Sequence, residues 1–188
     1  GSEMCIRDSE NIIYFSGGGT LYKSSNGGSS FTNIGSGEFN SGIEIKEIMI
    51  HNGKLWVASN QGLYYSSNSG NSFLQKMSGK WLEMEVHPTN NQVIYAIKEN
   101  TNTTAFYKST NNGSSFTEYS NGWPSPNSGE EQKRTEIAVS AASPNKVVAL
   151  CTGVANGGSG LYGIYISEDQ GVNWEFKCCG AQLISFLL

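Results

Sequence analysis

The chain has 188 residues, a formal net charge of −4 and only 15% charged residues. It contains no basic block, which removes a nucleic-acid footprint, and no apolar run near the length of a membrane-spanning helix. Its 23 glycines, with abundant serine and asparagine, favour turns over helix interiors. Its 11% aromatic share suits pleated, half-buried surfaces, so the expectation is an all-β chain of many short strands.

In chain order, Gly1-Ser2 reads as an expression scar, and Glu3 to Ser9 fits no later pattern. Residues 1–9 are therefore expected to be a scar or an unrelated leader, and 10–188 one repeat segment. The first repeat, 10–34, opens on a strand at Ile12–Phe15, turns at Gly17-Gly18-Gly19, and reaches Leu21-Tyr22. The second, 43–76, reads as strands at Ile43–Ile50 and Leu55–Ala58. The third, 81–119, reads as strands at Trp81–Val86 and Val93–Ile97, and the fourth, 135–177, as strands at Thr135–Ser140 and Val147–Cys151. Short β-rich runs between Gly, Asn and Pro clusters are the signature used throughout.

Each repeat then carries one motif, Ser-x-(Asn/Asp)-x-Gly-x-x-(Phe/Trp). Its copies are Ser24, Asn26, Gly28, Phe31; Ser66, Asn68, Gly70, Phe73; Ser109, Asn111, Gly113, Phe116; and Ser167, Asp169, Gly171, Trp174. A tyrosine stands two residues before each serine, at Tyr22, Tyr64, Tyr107 and Tyr165. From Ser24 to Ser66 is 42 residues, from Ser66 to Ser109 is 43, and from Ser109 to Ser167 is 58. A period near 42 is the length of one four-stranded propeller blade. The fold expected is all-β, with four visible blades of four antiparallel strands and more blades in the complete propeller. The first blade is expected to lack its first strand, and residues 181–188 to start a further blade or to close the first one. An arc left open in this way would expose apolar blade faces and self-associate.

The motif has a local logic. Asn or Asp bonds its own backbone a few residues on, glycine supplies a positive φ, and the serine hydroxyl adds a second local bond. The aromatic is expected to fold back into the blade and be largely buried in all four copies. These segments resemble the Asp-box, or bacterial neuraminidase repeat, of β-propeller proteins, over residues 10 to about 177. With Glu85-Val86-His87-Pro88-Thr89-Asn90, the resemblance is closest to sortilin-type and xyloglucanase-like members. It implies a secreted, periplasmic or cell-surface protein. Asn26, Asn68, Asn111 and Asp169 are read as turn staples and not as a shared ligand site.

The chemistry of an enzyme is hard to assemble. A sialidase needs clustered arginines, and only Arg7 and Arg134 exist. A xyloglucanase-like mechanism needs two carboxylates. Asp8 and Asp169 are the only aspartates, so Glu83 and Glu85, on one face of a strand, are the best substitute pair. His51 and His87 fall in turns, Cys151 on a strand reads as core, and Cys178 and Cys179 as unpaired or variably paired thiols. No metal site or cofactor is expected. What remains is a non-catalytic interaction module that binds protein or glycan on the face of the second-to-third and fourth-to-first strand loops. The longest such loop, 117–134, offers Tyr119, Trp123 and Arg134 as contact candidates, with Trp123 alternatively packed against its own blade. The alternative function is a fragment of a glycoside hydrolase whose catalytic carboxylates lie partly outside this chain.

Overall fold

The computed structural model describes residues 4–155 and 158–178. Among these residues every regular element is a strand, and the strands form four four-stranded antiparallel sheets. The first sheet holds β1 (Met4–Arg7), β2 (Ile13–Gly17), β3 (Thr20–Ser24) and β4 (Thr32–Ile34). The second holds β5 (Ile45–His51), β6 (Lys54–Ser59), β7 (Gly62–Ser66) and β8 (Leu74–Ser78). The third holds β9 (Lys80–Val86), β10 (Ile94–Asn100), β11 (Thr103–Ser109) and β12 (Thr117–Glu118). The fourth holds β13 (Glu131–Val139), β14 (Val147–Ala155), β15 (Gly158–Ser167) and β16 (Glu175–Cys178). Each sheet is a simple meander, the form of a propeller blade.

Two expectations need correction. Met4–Arg7, within the expected leader, pairs antiparallel with β2, from Met4↔Ser16 to Arg7↔Ile13, while residues 1–3 lie outside the described residues. Ile6 packs partly buried against the core, so the first sheet has its first strand. The stretch 117–134 is also not all loop. β12 takes its start and β13 its end, so Arg134 lies on a strand, paired through its side chain with Glu136. Backbone pairing from Glu131↔Val154 onwards extends β13 and β14 beyond their expected ends. Residues 181–188 lie outside the described residues.

The chain divides into two compact units, 1–82 and 83–188, with the division inside β9. In the first unit, Tyr14 and Leu21 of the first sheet share a buried cluster with Ile45, Ile48, Leu55 and Val57 of the second. In the second unit, Tyr95 and Phe106 of the third sheet join Trp123 and Trp174 in an aromatic core, and Val147 and Ala149 of the fourth sheet are buried as well.

The four repeat turns share one hydrogen-bond scheme. In the first, Ser24 Oγ donates to Asn26 Oδ1 (2.9 Å) and accepts from the N–H groups of Asn26 (3.2 Å) and Gly28 (2.9 Å). Asn26 Oδ1 then accepts from the Ser30 N–H at 2.9 Å. The same bonds recur around Ser66 and Asn68, Ser109 and Asn111, and Ser167 and Asp169. All four serines are buried, so the hub hydroxyl exchanges water for three local partners. The glycine has a positive φ in each copy, and so does the residue before it, even where that is Ser69, Asn112 or Gln170. A left-handed non-glycine residue costs on the order of 1 kcal/mol, which the paired side chains offset.

The expectation of four buried aromatics fails for two. Phe73 and Trp174 are each 6% exposed, but Phe31 is 44% exposed and Phe116 half-buried. The buried ones have an aromatic from the loop of the preceding sheet set against them. Phe39 meets Phe73 edge-on at 4.9 Å, and Trp123 meets Trp174 edge-on at 4.7 Å. Burial of the repeat aromatic thus depends on a partner outside the motif.

A candidate binding groove in the second unit

β10 and β11 are joined by a tight hairpin at Thr101-Asn102, with Asn102 left-handed at φ 61°. A buried polar network ties this hairpin to β13. Gln132 Oε1 accepts from the Thr104 N–H (3.1 Å) and the Thr103 hydroxyl (3.2 Å), while its Nε2 donates to Thr135 Oγ1 (2.9 Å). Thr104 and Thr135 share a hydroxyl bond at 2.9 Å, and Thr135 also donates to Cys151 Sγ at 3.4 Å. Every member is satisfied, which is the condition for a buried network to stabilise.

The loop between β12 and β13 is anchored from inside. Trp123 is 8% exposed, and its Nε1 donates to the Thr104 carbonyl at 2.8 Å. The Trp174 N–H donates to the Asn121 carbonyl at 2.9 Å. Gly122, at φ 74°, lies so close to the Trp174 carbonyl that a Cβ has no room. Of the two readings of Trp123, the structure shows the packed one. Tyr119 is held by its N–H to the Phe106 carbonyl (3.0 Å), and the Lys108 ammonium stands 4.5 Å from its ring centre.

Between hairpin and loop lies a cavity of about 640 Å³, walled by Asn100, Asn102, Thr103, Tyr119, Asn127 and neighbouring residues. Its two carboxylates are Glu118 and Glu130. Glu118 accepts from the Tyr107 hydroxyl at 2.7 Å. Glu130 accepts from the Asn127 N–H (3.0 Å), the Asn127 amide (3.1 Å) and the Tyr162 hydroxyl (3.3 Å). Burial first, and then these carboxylates, push Tyr107 and Tyr162 up to about 12. The groove offers amides, hydroxyls and acceptor oxygens; among the described residues its wall holds no lysine or arginine, and the Lys108 ammonium stands against the Tyr119 ring. Arg134 lies outside it. By strand topology the groove is at the hairpin end of the third sheet, and the repeat turn is at the other end.

The other candidates are dispersed. Asn26, Asn68, Asn111 and Asp169 each sit in their own turn with oxygens already bonded. Asp169 is held down to about 2: burial raises it, but bonds from Asn173, Ser167 and the Val172 N–H outweigh that. Glu83 accepts the Ile137 N–H at 2.8 Å and so links the first strands of two sheets. Burial raises the Glu85 carboxyl above the usual carboxylate range, against a smaller lowering by its bond with the Val86 backbone. His87 Nδ1 accepts from the Thr89 and Asn90 N–H groups, shaping its turn. Among the described residues no cluster of His, Cys, Asp and Glu is able to hold a metal ion. Cys5 and Cys151 are free thiols, whereas Cys178 is disulfide-bonded, so of the unpaired and paired states expected for Cys178 the paired one is found.

Sequence reading missed a clamp. Lys23 donates to the Ser69 carbonyl and Lys108 to the Gln170 carbonyl, each at 3.1 Å, joining one sheet to the turn of the next. The available signal was a lysine directly before the motif serine in two of four copies.

Residues 3–132 match the family model of the DUF6242 β-propeller domain. The chain belongs to that family. No curated protein matches it in sequence. Among solved structures, this DUF6242-type chain is similar to an ancestral GH74 enzyme, at 21% identity and TM-score 0.73, over 95% of this chain and 24% of that one. It is also similar to the GH74 enzyme of Niastella koreensis, at 19% identity and TM-score 0.59, over 88% and 28% of the two chains. A third likeness is the extracellular domain of BT4673 from B. thetaiotaomicron, at 10% identity and TM-score 0.64, over 92% and 22%. The chain therefore spans about a quarter of the length of these proteins, and at such identities the likeness is one of fold. The DUF6242 match includes Met4–Arg7, in keeping with their place in the first sheet.

Proposed function

We propose that the chain is a non-catalytic interaction module of a β-propeller, and that its groove at residues 100–104 and 118–130 holds a neutral, polyhydroxylated ligand, a glycan. The observation that carries this is the groove's chemistry: a volume of about 640 Å³, walled among the described residues by amides, hydroxyls and hydrogen-bonded carboxylates. Such groups exchange hydrogen bonds with sugar hydroxyls, and Tyr119 supplies a flat aromatic surface. The turns are read as Asp-boxes of the sortilin and xyloglucanase-like kind, and the protein as secreted, periplasmic or displayed at the cell surface. No helix among the described residues is long and apolar enough to cross a membrane. Calorimetric titration with cellotetraose tests the proposal. Saturable binding is expected, weakened about tenfold or more in Tyr119→Ala, the loss of a stacking aromatic. Absence of binding, or equal binding by the variant, refutes it.

The second reading, a glycoside hydrolase fragment, is favoured by the two GH74 likenesses. It requires an acid and a base, and Glu83 is bonded as a backbone acceptor. Hydrolysis of a β-glucan by the wild type, lost in Glu83→Gln, would establish it.

A further inference from the structure

Side chains of a strand alternate between the two faces of its sheet. In each sheet one face, the front, carries the repeat aromatic and the tyrosine two residues before the motif serine; the other is the back. In the first unit the back of the first sheet, through Tyr14 and Leu21, shares a buried cluster with the front of the second, through Leu55, Val57 and Phe73. Register defines the matching positions elsewhere. Tyr14 pairs with the residue before the serine, as do Trp56, Tyr95 and Val148 on the other backs. Val57 pairs with the tyrosine, as do Phe15, Ala96 and Ala149 on the other fronts. Tyr14, Trp56 and Tyr95 are at most 2% exposed, and Val57, Ala96 and Ala149 are wholly buried.

The front of the first sheet and the back of the fourth are open instead. On the first, Phe15 stacks on Tyr22 and meets Phe31 edge-on, and Phe31 is 44% exposed. On the fourth, Val148 and Leu150 pair with Ile166 and Ile164, and Leu150 is 41% exposed. A sheet face turned to water is ordinarily polar, and these two are apolar. Side-chain size separates them from the rest. Each closed back has an aromatic at the matching position, namely Tyr14, Trp56 or Tyr95, and each closed front a small residue, namely Val57, Ala96 or Ala149. The open faces reverse this, with Phe15 on the front and Val148 on the back. Interiors are filled to nearly constant density, so a back with an aromatic would collide with Phe15, whereas the back of the fourth sheet leaves it room. The Tyr14 and Val57 combination recurs there in inverted form. Both faces are open within the single chain, so the contact that closes them is made by another copy. We propose that the chain associates head to tail, the front of its first sheet packing on the back of the fourth sheet of a second copy. Such a contact joins unlike surfaces, so copies can be added in series.

Light scattering of the full chain across a concentration series tests it. The expected result is an average mass above the 20.3 kDa of one chain, rising with concentration. Phe31→Glu and Leu150→Glu replace exposed side chains, so both should keep the wild-type circular dichroism, and both should be monomers. Mixed in equal amounts they should form a dimer and nothing larger, because each keeps the face that the other has lost. Cys5, exposed and in register with Phe15, should react with iodoacetamide freely in the dilute monomer and more slowly once the mass has risen. A wild type that stays at the mass of one chain, association that survives in either single variant, or a mixture that stays monomeric overturns the proposal.

Discussion

The fourth repeat turn reverses a hydrogen bond found in the other three. Asn26, Asn68 and Asn111 donate from Nδ2 to the hydroxyls of Ser30, Ser72 and Ser115, at 2.8–2.9 Å. In the fourth turn Asn173 Nδ2 donates instead to Asp169 Oδ2, at 2.6 Å. Asp169→Asn would set two amide donors against each other, although asparagine is the residue of the other three turns. A carboxylate held near 2 in the folded chain, against about 3.9 unfolded, would contribute roughly 2.5 kcal/mol if sheltered. Asp169 is exposed, and solvent screening reduces this to about 1 kcal/mol. The single variant should therefore lose about 2–4 °C in melting temperature at pH 7. The double variant Asp169→Asn with Asn173→Ser restores the pairing of the other turns and should recover most of the loss. It forgoes only the Asn121–Asn173 amide contact. The folded-state value is depressed, so this contribution is complete above about pH 4 and disappears as pH falls towards 2. Both variants should lack that segment of the pH dependence. Differential scanning calorimetry from pH 7 to pH 2 reads all three effects. Additive losses in the double variant, or wild-type acid sensitivity in Asp169→Asn, would refute the reasoning.

Two further outcomes follow from packing. Phe73→Ala and Trp174→Ala should each cost about 3–5 kcal/mol, whereas Phe31→Ala, at an exposed site, should cost less than about 1 kcal/mol; urea denaturation followed by circular dichroism separates them. Burial pushes the Cys151 thiol up to about 11. In the native protein iodoacetamide should modify exposed Cys5 and spare Cys151, and mass spectrometry should find Cys151 labelled only after unfolding.

The repeat was legible because its turn is specified locally. Ser, Asx and Gly at fixed spacing determine hydrogen bonds among neighbours in sequence, and such bonds need no knowledge of the remaining chain. Features that depend on distant partners were not. Met4–Arg7 belongs to a sheet through pairing with β2, and nothing in its own residues announces that. The Thr152–Ala155 end of β14 looks like loop in composition, yet its backbone pairs with both neighbouring strands. Trp123 was readable as anchor or contact, and the Thr104 carbonyl together with Trp174 decides it. Gln132, flanked by Glu131 and Lys133, gives no sign of burial, yet it ties the groove's hairpin to β13. Glu118 and Glu130 were invisible as a pair because the loop alone brings them to one cavity.

Strands of these sheets meet two unlike sets of constraints at their opposite ends. At the motif end, serine, Asx and glycine are fully committed to one another, so most substitutions there disturb a turn. At the other end, the loops at 35–44 and 119–130 are held at separate points, by Gly35, Phe39 and Asn40 in one, and by Tyr119, Asn121, Trp123, Asn127 and Glu130 in the other. The scaffold therefore leaves a few loop positions open to redesign: Ser125, Pro126 and Ser128 can be varied with Gly122, Trp123, Pro124, Asn127, Gly129 and Glu130 retained, without rebuilding the sheets.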